Sequence, residues 1–432
     1  MLMNRLLSLL VVTGLSSQAL AAPLLKVLNL GAANAILDKY IIVFKDTTSD
    51  AAITSHKSLI GSLHTGVIKR LKLTGAKALG IEKEFNFASG FRGYSGGFDP
   101  DTLKQILLSP DISYVEQDGV VKTNAVQNNA EWGLERVSNK AFTNDGSFKY
   151  SYNDATAGAG VSVYIIDTGI QVSHNEFEGR ASWGYDFITN SPTGQDENGH
   201  GTHCAGTIGG KTYGVAKKAK LVAVRVLDGS GSGSNSGVIA GMQWVADNAI
   251  PNKSVASMSL GGLFSQATND AVNAIYTAGI TIVVAAGNDA QLATFYSPAS
   301  TPNAITVGAM NIDNKIAYFS NFGPGVDVFA PGVNVKSSFI GPSNAETAVY
   351  SGTSMATPHV AGLSAYVISS APGGSLTPSA VTMNITNGAI TGQLVAQEYA
   401  LSLPLIGIIT QLTDGPVSVG TPNKIAYNGY LG

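Results

Sequence analysis

The chain has 432 residues, 44% of them apolar and 13% charged, with a formal net charge of −3. This balance describes a globular protein with a large core and few surface ions, and excludes a disordered chain or a coiled coil. The weak negative charge, without any Lys/Arg-rich run, also excludes a nucleic-acid binder.

The first residues read as an export signal. Arg5 supplies a positive start, Leu6 to Leu15 an apolar run, and Ala19-Leu20-Ala21 a small-x-small cleavage site, which places cleavage after Ala21. That run is too short to span a bilayer, and no later one reaches about eighteen apolar residues, so a secreted, extracellular protein with no membrane association is expected. Its single cysteine, Cys204, rules out disulfides within the chain, so stability must come from a large core, bound ions or both.

Residues 38 to 122 form a pattern of their own. "DKYIIVFK" reads as a strand, the stretch from Ser49 as a helix, "EFNFASGFRGYSGGF" as paired strands, "DPDTLKQILLS" as a helix capped by Asp99 with Pro100 at its first position, and "ISYVEQDGVVK" as a last strand. The order βαββαβ is that of a small ferredoxin-like α+β sandwich. A polar, Asn-rich stretch at "TNAVQNNAEWGLERVS" then marks a boundary. Residues 125–432 carry 13 Lys/Arg against 19 Asp/Glu, net −6, and residues 1–124 are net +3, a difference that favours association of the two pieces.

From Ser162 apolar strands alternate with helical stretches: "SVYIID", the helix opened by "GHGTHCAG", "LVAVRVLD", "SGVIAGMQWVADNA", "SVASMSLGG", "SQATNDAVNAIYTAGI", "TIVVAAGN" and "NAITVGAM". The expected fold is α/β, a doubly wound parallel sheet with helices on both faces. Functional residues of such sheets gather at the carboxyl ends of strands, and Asp167, Asp228, Ser259 and Asn288 fall there.

Near the C-terminus, "SGTSMATPHVAG" places Ser354 at the start of an apolar helix. A serine there most often caps the helix. As a nucleophile it needs a base, and the base needs an acid. Asp167, ending an apolar strand, and His200, between glycines that admit a close neighbour, are the candidates. His203 reads as structural, since an i, i+3 histidine pair lacks a zinc ligand set. Cys204 reads as a small buried residue close enough to His200 to confer sensitivity to mercurials.

Taken in order, "VYIIDTGI", "GHGTHCAGT", "AAGN" and "GTSMATPHVAG" resemble the subtilisin superfamily of serine proteases, specifically its proteinase K subfamily, from about Ala125 to the C-terminus. The front piece resembles the inhibitory propeptide of these enzymes. The resemblance implies a serine endopeptidase made as a zymogen, in which Asp167 orients the imidazole, His200 is the base, Ser354 attacks the peptide carbonyl and Asn288 binds the oxyanion. It implies that Gly231, Ser232 and Gly233 on one side and Ser259, Leu260 and Gly261 on the other pair with an extended peptide. Broad specificity would follow, with preference for apolar or aromatic residues before the cut. Asn235 departs from the pattern, standing where the subfamily often has an aromatic residue. A structural calcium is implied at the Pro302 and Ala304 carbonyls and the Asp327 carboxylate. The organisation expected is a signal at 1–21, a propeptide at 22–124 and a catalytic domain at 125–432, acting as a monomer. "VVKTNA" would enter the cleft, the precursor would cut itself near Asn124-Ala125, and the product would stay bound as an inhibitor until degraded.

Two rivals fail on the residues. A non-catalytic relative would have lost one of Asp167, His200, Asn288 or Ser354, and a nucleotide-binding protein would need a phosphate loop that "GSGSNS", lacking the lysine and lying after a later strand, does not supply. Asn252 and Asn384 sit in glycosylation sequons. Val395 to Leu412 interrupts the resemblance and reads as an in-frame intron, a surface insertion or an extra packed strand.

Overall fold

Between Val121 and Lys122 the chain divides into two units. The structure is a computed structural model that describes residues 25–31, 35–71, 80–88, 90–119, 125–396 and 420–429. The segment expected to be an export signal, the "VVKTN" stretch ahead of Ala125 and all but the first two residues of Val395–Leu412 lie outside the described residues.

The N-terminal unit contains β1 (Val27–Leu28), β2 (Ala35–Phe44), α1 (Asp50–Leu71), β3 (Gly80–Asn86), β4 (Arg92–Gly97), α2 (Pro100–Leu108) and β5 (Ile112–Gly119). The sheet order β1-β5-β2-β4-β3 reproduces the ferredoxin-like arrangement, with β1 added in parallel beside β5. Asp99 caps α2 by accepting from the N–H groups of Asp101 and Thr102. Both helices cover one face of the sheet, around Ile42, Phe44, Ile60, Tyr94, Ile106 and Val115.

The second unit begins with β6 (Ala125–Asn128), α3 (Trp132–Arg136) and β7 (Lys149–Tyr152), and β6 pairs with β7. The main run follows: β8 (Ser162–Asp167), β9 (Ala181–Asp186), α4 (His200–Gly209), β10 (Lys220–Arg225), α5 (Asn235–Asn248), β11 (Ser254–Met258), β12 (Gly262–Leu263), α6 (Gln266–Thr277), β13 (Thr281–Ala285), β14 (Tyr296–Ser297), β15 (Ile305–Met310), β16 (Val328–Pro331), β17 (Val335–Ser338), β18 (Thr347–Tyr350), α7 (Thr353–Ser370), α8 (Pro378–Gly388), β19 (Ile390–Thr391) and β20 (Lys424–Ile425). Nine strands form one sheet in the order β19-β20-β16-β15-β13-β11-β8-β10-β9, parallel except for β19.

Period-two alternation along β8 explains the two helical layers. Val163 and Ile165 face the cluster that contains α4, α7 and α8, whereas Tyr164 and Ile166 face the one that contains α5 and α6. From β8 the chain winds outward in both directions, through β10 on one side and β11, β13, β15 and β16 on the other. The crevice at the carboxyl ends beside β8 is where ligands of such sheets bind. One expected boundary shifts: the strand ends at Arg225, so Asp228 lies in the following turn.

Candidate active site

Ser354 is the second residue of α7, whose eighteen residues are nearly all buried. Pro358, one turn on, has no N–H, so the Ser354 carbonyl lacks its usual helical donor. The Ser259 hydroxyl (3.0 Å) and the Cys204 thiol (3.4 Å) donate to it instead. In return the Ser354 hydroxyl donates to the Ser259 carbonyl at 3.0 Å. The serine is thereby bound to the end of β11, 95 residues earlier in sequence.

Asp167 closes β8 with its side chain fully buried, and one oxygen accepts from His200 Nδ1 at 2.7 Å and from the Thr168 N–H at 2.7 Å. With Nδ1–H donated, Nε2 is the free acceptor. Burial lowers the His200 pKa, but the charge and hydrogen bond of Asp167, with Asp196 behind them, outweigh burial and raise it above its ordinary 6.5. The glycines serve as expected: a Cβ at Gly201 would stand 2.1 Å from the Gly169 carbonyl, so only glycine lets the helix bearing His200 reach the loop after Asp167.

Asp196 was not singled out by its sequence. It is 2% exposed. One oxygen accepts from the Thr168 hydroxyl and the Asn198 and Gly199 N–H groups, the other from the N–H and hydroxyl of Thr202. It thus fastens the residue beside Asp167 to both flanks of His200. The spacing "DENGH" was the available signal.

Asn288 follows β13 on a loop held by Asn321, which accepts from the N–H groups of Asp289 and Gln291 and donates to the Ala286 carbonyl. The Asn288 side-chain oxygen accepts from the N–H and hydroxyl of Thr353, which fixes the amide and turns Nδ2 out as a donor. A Cβ placed on Gly352 would lie 3.6 Å from Ser354 N and 3.8 Å from Asn288 Nδ2. Both donors therefore border one small space that Gly352 keeps open.

Two cavities meet here. One of about 560 Å³ has Gly231, Ser232, Gly233 and Asn235 on one wall, Ser259, Leu260 and Gly261 on the other, and His200 at its end. Asp228 shapes the first wall, accepting from the N–H groups of Ser230 and Ser232. The second cavity, about 390 Å³, runs from Leu260–Leu263 past Ala285–Asp289 to Ser354.

Elsewhere His203 fits its structural reading. Its Nε2 faces the Val335 and Ala348 carbonyls, its ring stacks on Tyr350, and burial pulls its pKa down to about 4. Cys204 is buried, and burial and Asp167 push its thiol pKa well up. Its sulfur, an Asp167 oxygen and a His200 nitrogen lie within 4.8 Å of one another. The Pro302 and Ala304 carbonyls belong to the turn before β15. Asp327 precedes β16 and is tied to the start of β15, accepting from the Thr306 N–H while its own N–H donates to the Thr306 carbonyl. Burial raises the Asp327 pKa to about 6.

An Asp–His pair, a serine at a helix start and two converging N–H donors at the carboxyl edge of a parallel sheet define a subtilisin-like hydrolase. Residues 158–417 match the subtilase family and residues 39–124 match peptidase inhibitor I9, so the chain belongs to the subtilase family and carries its own inhibitory propeptide. It is 54% identical to a cuticle-degrading serine protease of Arthrobotrys oligospora, over 100% of both chains. Subtilisin-like protease 2 of Pseudogymnoascus destructans is 50% identical, with 88% of this chain and 91% of that one covered. A cold-adapted subtilisin-like serine proteinase of solved structure is 41% identical and superposes with a TM-score of 0.60, covering 69% of this chain and 98% of that one. The protein is a serine endopeptidase of the proteinase K type, made as a zymogen.

Proposed function

We propose that Ser354, His200 and Asp167 form the catalytic triad, and that Ser354 N–H and Asn288 Nδ2 form the oxyanion hole. The observation that carries this reading is the convergence of those two donors beside Gly352, next to the Asp167–His200 pair. His200 Nε2 takes the hydroxyl proton as Ser354 Oγ attacks the scissile carbonyl carbon, and the oxygen's charge falls between the two donors. Asp167 stabilises the imidazolium, which then protonates the leaving amine. Water, deprotonated by His200, releases the acyl group from Ser354.

The substrate lies extended between Gly231–Gly233 and Ser259–Gly261, bound through main-chain hydrogen bonds, so specificity is broad. The residue before the cut enters the 390 Å³ cavity, whose Ala285, Ala286 and Ala299 favour apolar or aromatic side chains. The names of the relatives support structural proteins of a cuticle as substrates. Incubating the protein with peptide amides and a serine-directed phosphonylating inhibitor tests the mechanism: the adduct is expected on Ser354, and inhibitor-insensitive hydrolysis would overturn it.

The same reading has the protein exported through its Arg5–Ala21 signal, acting as a monomer, and matured between Asn124 and Ala125. The end of the inhibitor match at 124 and the start of β6 at Ala125 support that junction, and N-terminal sequencing of the secreted enzyme checks it. The Asp167–His200–Cys204 cluster would bind mercury and stop activity. Val395–Leu412 is read as a retained intron, which transcript sequencing decides.

Calcium held by the Pro302, Ala304 and Asp327 oxygens would supply positive charge to a carboxylate whose pKa burial raises. Without metal, an Asp327 carboxyl raised from 3.8 to about 6 stabilises the fold at low pH and loses that contribution, up to about 3 kcal/mol, as pH rises through 6. Chelation should therefore lower Tm most above pH 6, and Asp327→Asn should make Tm insensitive to chelator.

A further inference from the structure

Beside the cleft, β12 and β14 form a short antiparallel ribbon in which Leu263 lies opposite Tyr296, and the Phe264 N–H donates to the Phe295 carbonyl. Leu263 and Tyr296 line the cavity that holds Ser354 and Asn288. Phe264 follows β12 and Phe295 ends the short turn before β14, and the bond between them extends the pairing by one step, so with Leu263 and Tyr296 on the cavity side the next pair, Phe264 and Phe295, falls on the outer side. They are 54% and 57% exposed, Leu263 is 77% exposed, and none of the three joins a buried cluster. Their apolar surface contributes little to folding. Single exposed apolar side chains are ordinary, but a cluster continuous with a binding cleft marks an interaction surface.

Charge narrows the occupant. No Lys, Arg, His, Asp or Glu occurs from Ser254 to Asn269 or from Ala290 to Ile312, although residues 125–432 are net −6. Both stretches lack ionised side chains of their own, and Asp289 lies against Tyr296 on the cavity side of the ribbon, so the outer side meets a protein surface by apolar contact. Its continuity with the cavity at Leu263 and Tyr296 means that a chain held at Ser354 can lay its neighbouring segments across Phe264 and Phe295.

We propose that the outer side of this ribbon is an exosite that adsorbs apolar, uncharged faces of polymeric protein substrates and delivers them to the cleft. The proposal rests on the reading of the cleft as the substrate site. The test uses the matured enzyme, elastin powder as the insoluble apolar protein, and a soluble tetrapeptide amide that occupies only the cleft. Phe264→Ser/Phe295→Ser should lower both adsorption to elastin and peptide release from it about tenfold, the scale of one or two lost aromatic contacts. Hydrolysis of the soluble amide should stay within about twofold, because neither ring lines the cavities. Phe264→Leu/Phe295→Leu, which keeps the surface apolar, should restore adsorption.

Unchanged elastin adsorption in the double serine variant overturns the exosite. So does an equal fall on elastin and soluble amide, which would mean the ribbon shapes the cleft. A wild-type dimer dispersed by the serine variant would assign the face to a second copy and overturn the proposal too. Failure of the wild type on the soluble amide would instead strike the cleft reading.

Discussion

Among the described residues of the N-terminal unit the ion pairs stay at the surface: Lys39–Glu82, Lys57–Glu84 and Arg92–Asp50 each keep a well-exposed carboxylate. Such pairs contribute little to stability. The catalytic unit has surface pairs too, Lys211–Glu178 and Lys218–Asp154 among them, but it also buries ionisable groups. Asp167, Asp186, Asp196, Arg136, Arg225, His203 and His359 are all 2% exposed or less. Arg225 meets Asp186 and Glu197, whereas Arg136 is held by Asn314, Gln393 and the Asn139 carbonyl, and burial pulls its pKa down to about 10. Burying charge is costly unless every partner is in place. A propeptide needs shape and therefore manages with an apolar core, while a catalytic apparatus must hold charged groups at fixed distances away from water.

The contrast is broken most severely at Ser354. Ser354→Ala should lower kcat by about a millionfold and leave an unprocessed precursor in which both units fold, seen as a single band with wild-type circular dichroism. Processing of that variant at the wild-type rate would assign maturation to another protease. Asn288→Ala should lower kcat by about 10²–10³ with KM little changed, because the lost donor acts on the transition state.

Acid should act on the catalytic unit through two buried histidines and on the N-terminal unit through one, His56, whose pKa burial also lowers. His203 and His359, pulled by burial from 6.5 to about 4, are uncharged in the folded state, and the unfolded chain takes up their protons first. Their contribution is complete above pH 6.5 and is lost as pH falls through 4, up to about 3 kcal/mol each. Tm of the catalytic unit should fall across that interval, and His359→Gln, if it folds, should flatten the fall.

The mildest change is Asp196→Asn, which keeps the shape of the side chain. Loosening both flanks of His200 should lower kcat about tenfold or somewhat more. Removing the negative charge lowers the His200 pKa, so the acid limb of the kcat/KM profile should move to lower pH. A merely structural role for Asp196 would leave that limb in place.

The linear sequence carried the layers of both units because they follow from local periodicity and capping: period two in β8, the Asp99-Pro100 start of α2, the apolar run of α7. It also offered Ser354, His200, Asp167 and Asn288 as candidates, because their motifs are short and contiguous. Asn321 was illegible, and Asp196 had only its place in "DENGH" to mark it, since each acts through hydrogen bonds to groups brought near by folding. Pro358 was visible, but its consequence was not: the freed Ser354 carbonyl takes donors from residues 95 and 150 positions away.

By itself, then, the sequence determined which side chains could do the chemistry and on which elements they ride, because those properties are encoded within a few residues. Tertiary structure alone decided that the N–H groups of Ser354 and Asn288 border one space, that Asp196 binds both flanks of His200 to the end of β8, and that Phe264 and Phe295 stay outside every core. Such relations depend on packing between distant elements, and no local pattern records which buried donor will meet which acceptor.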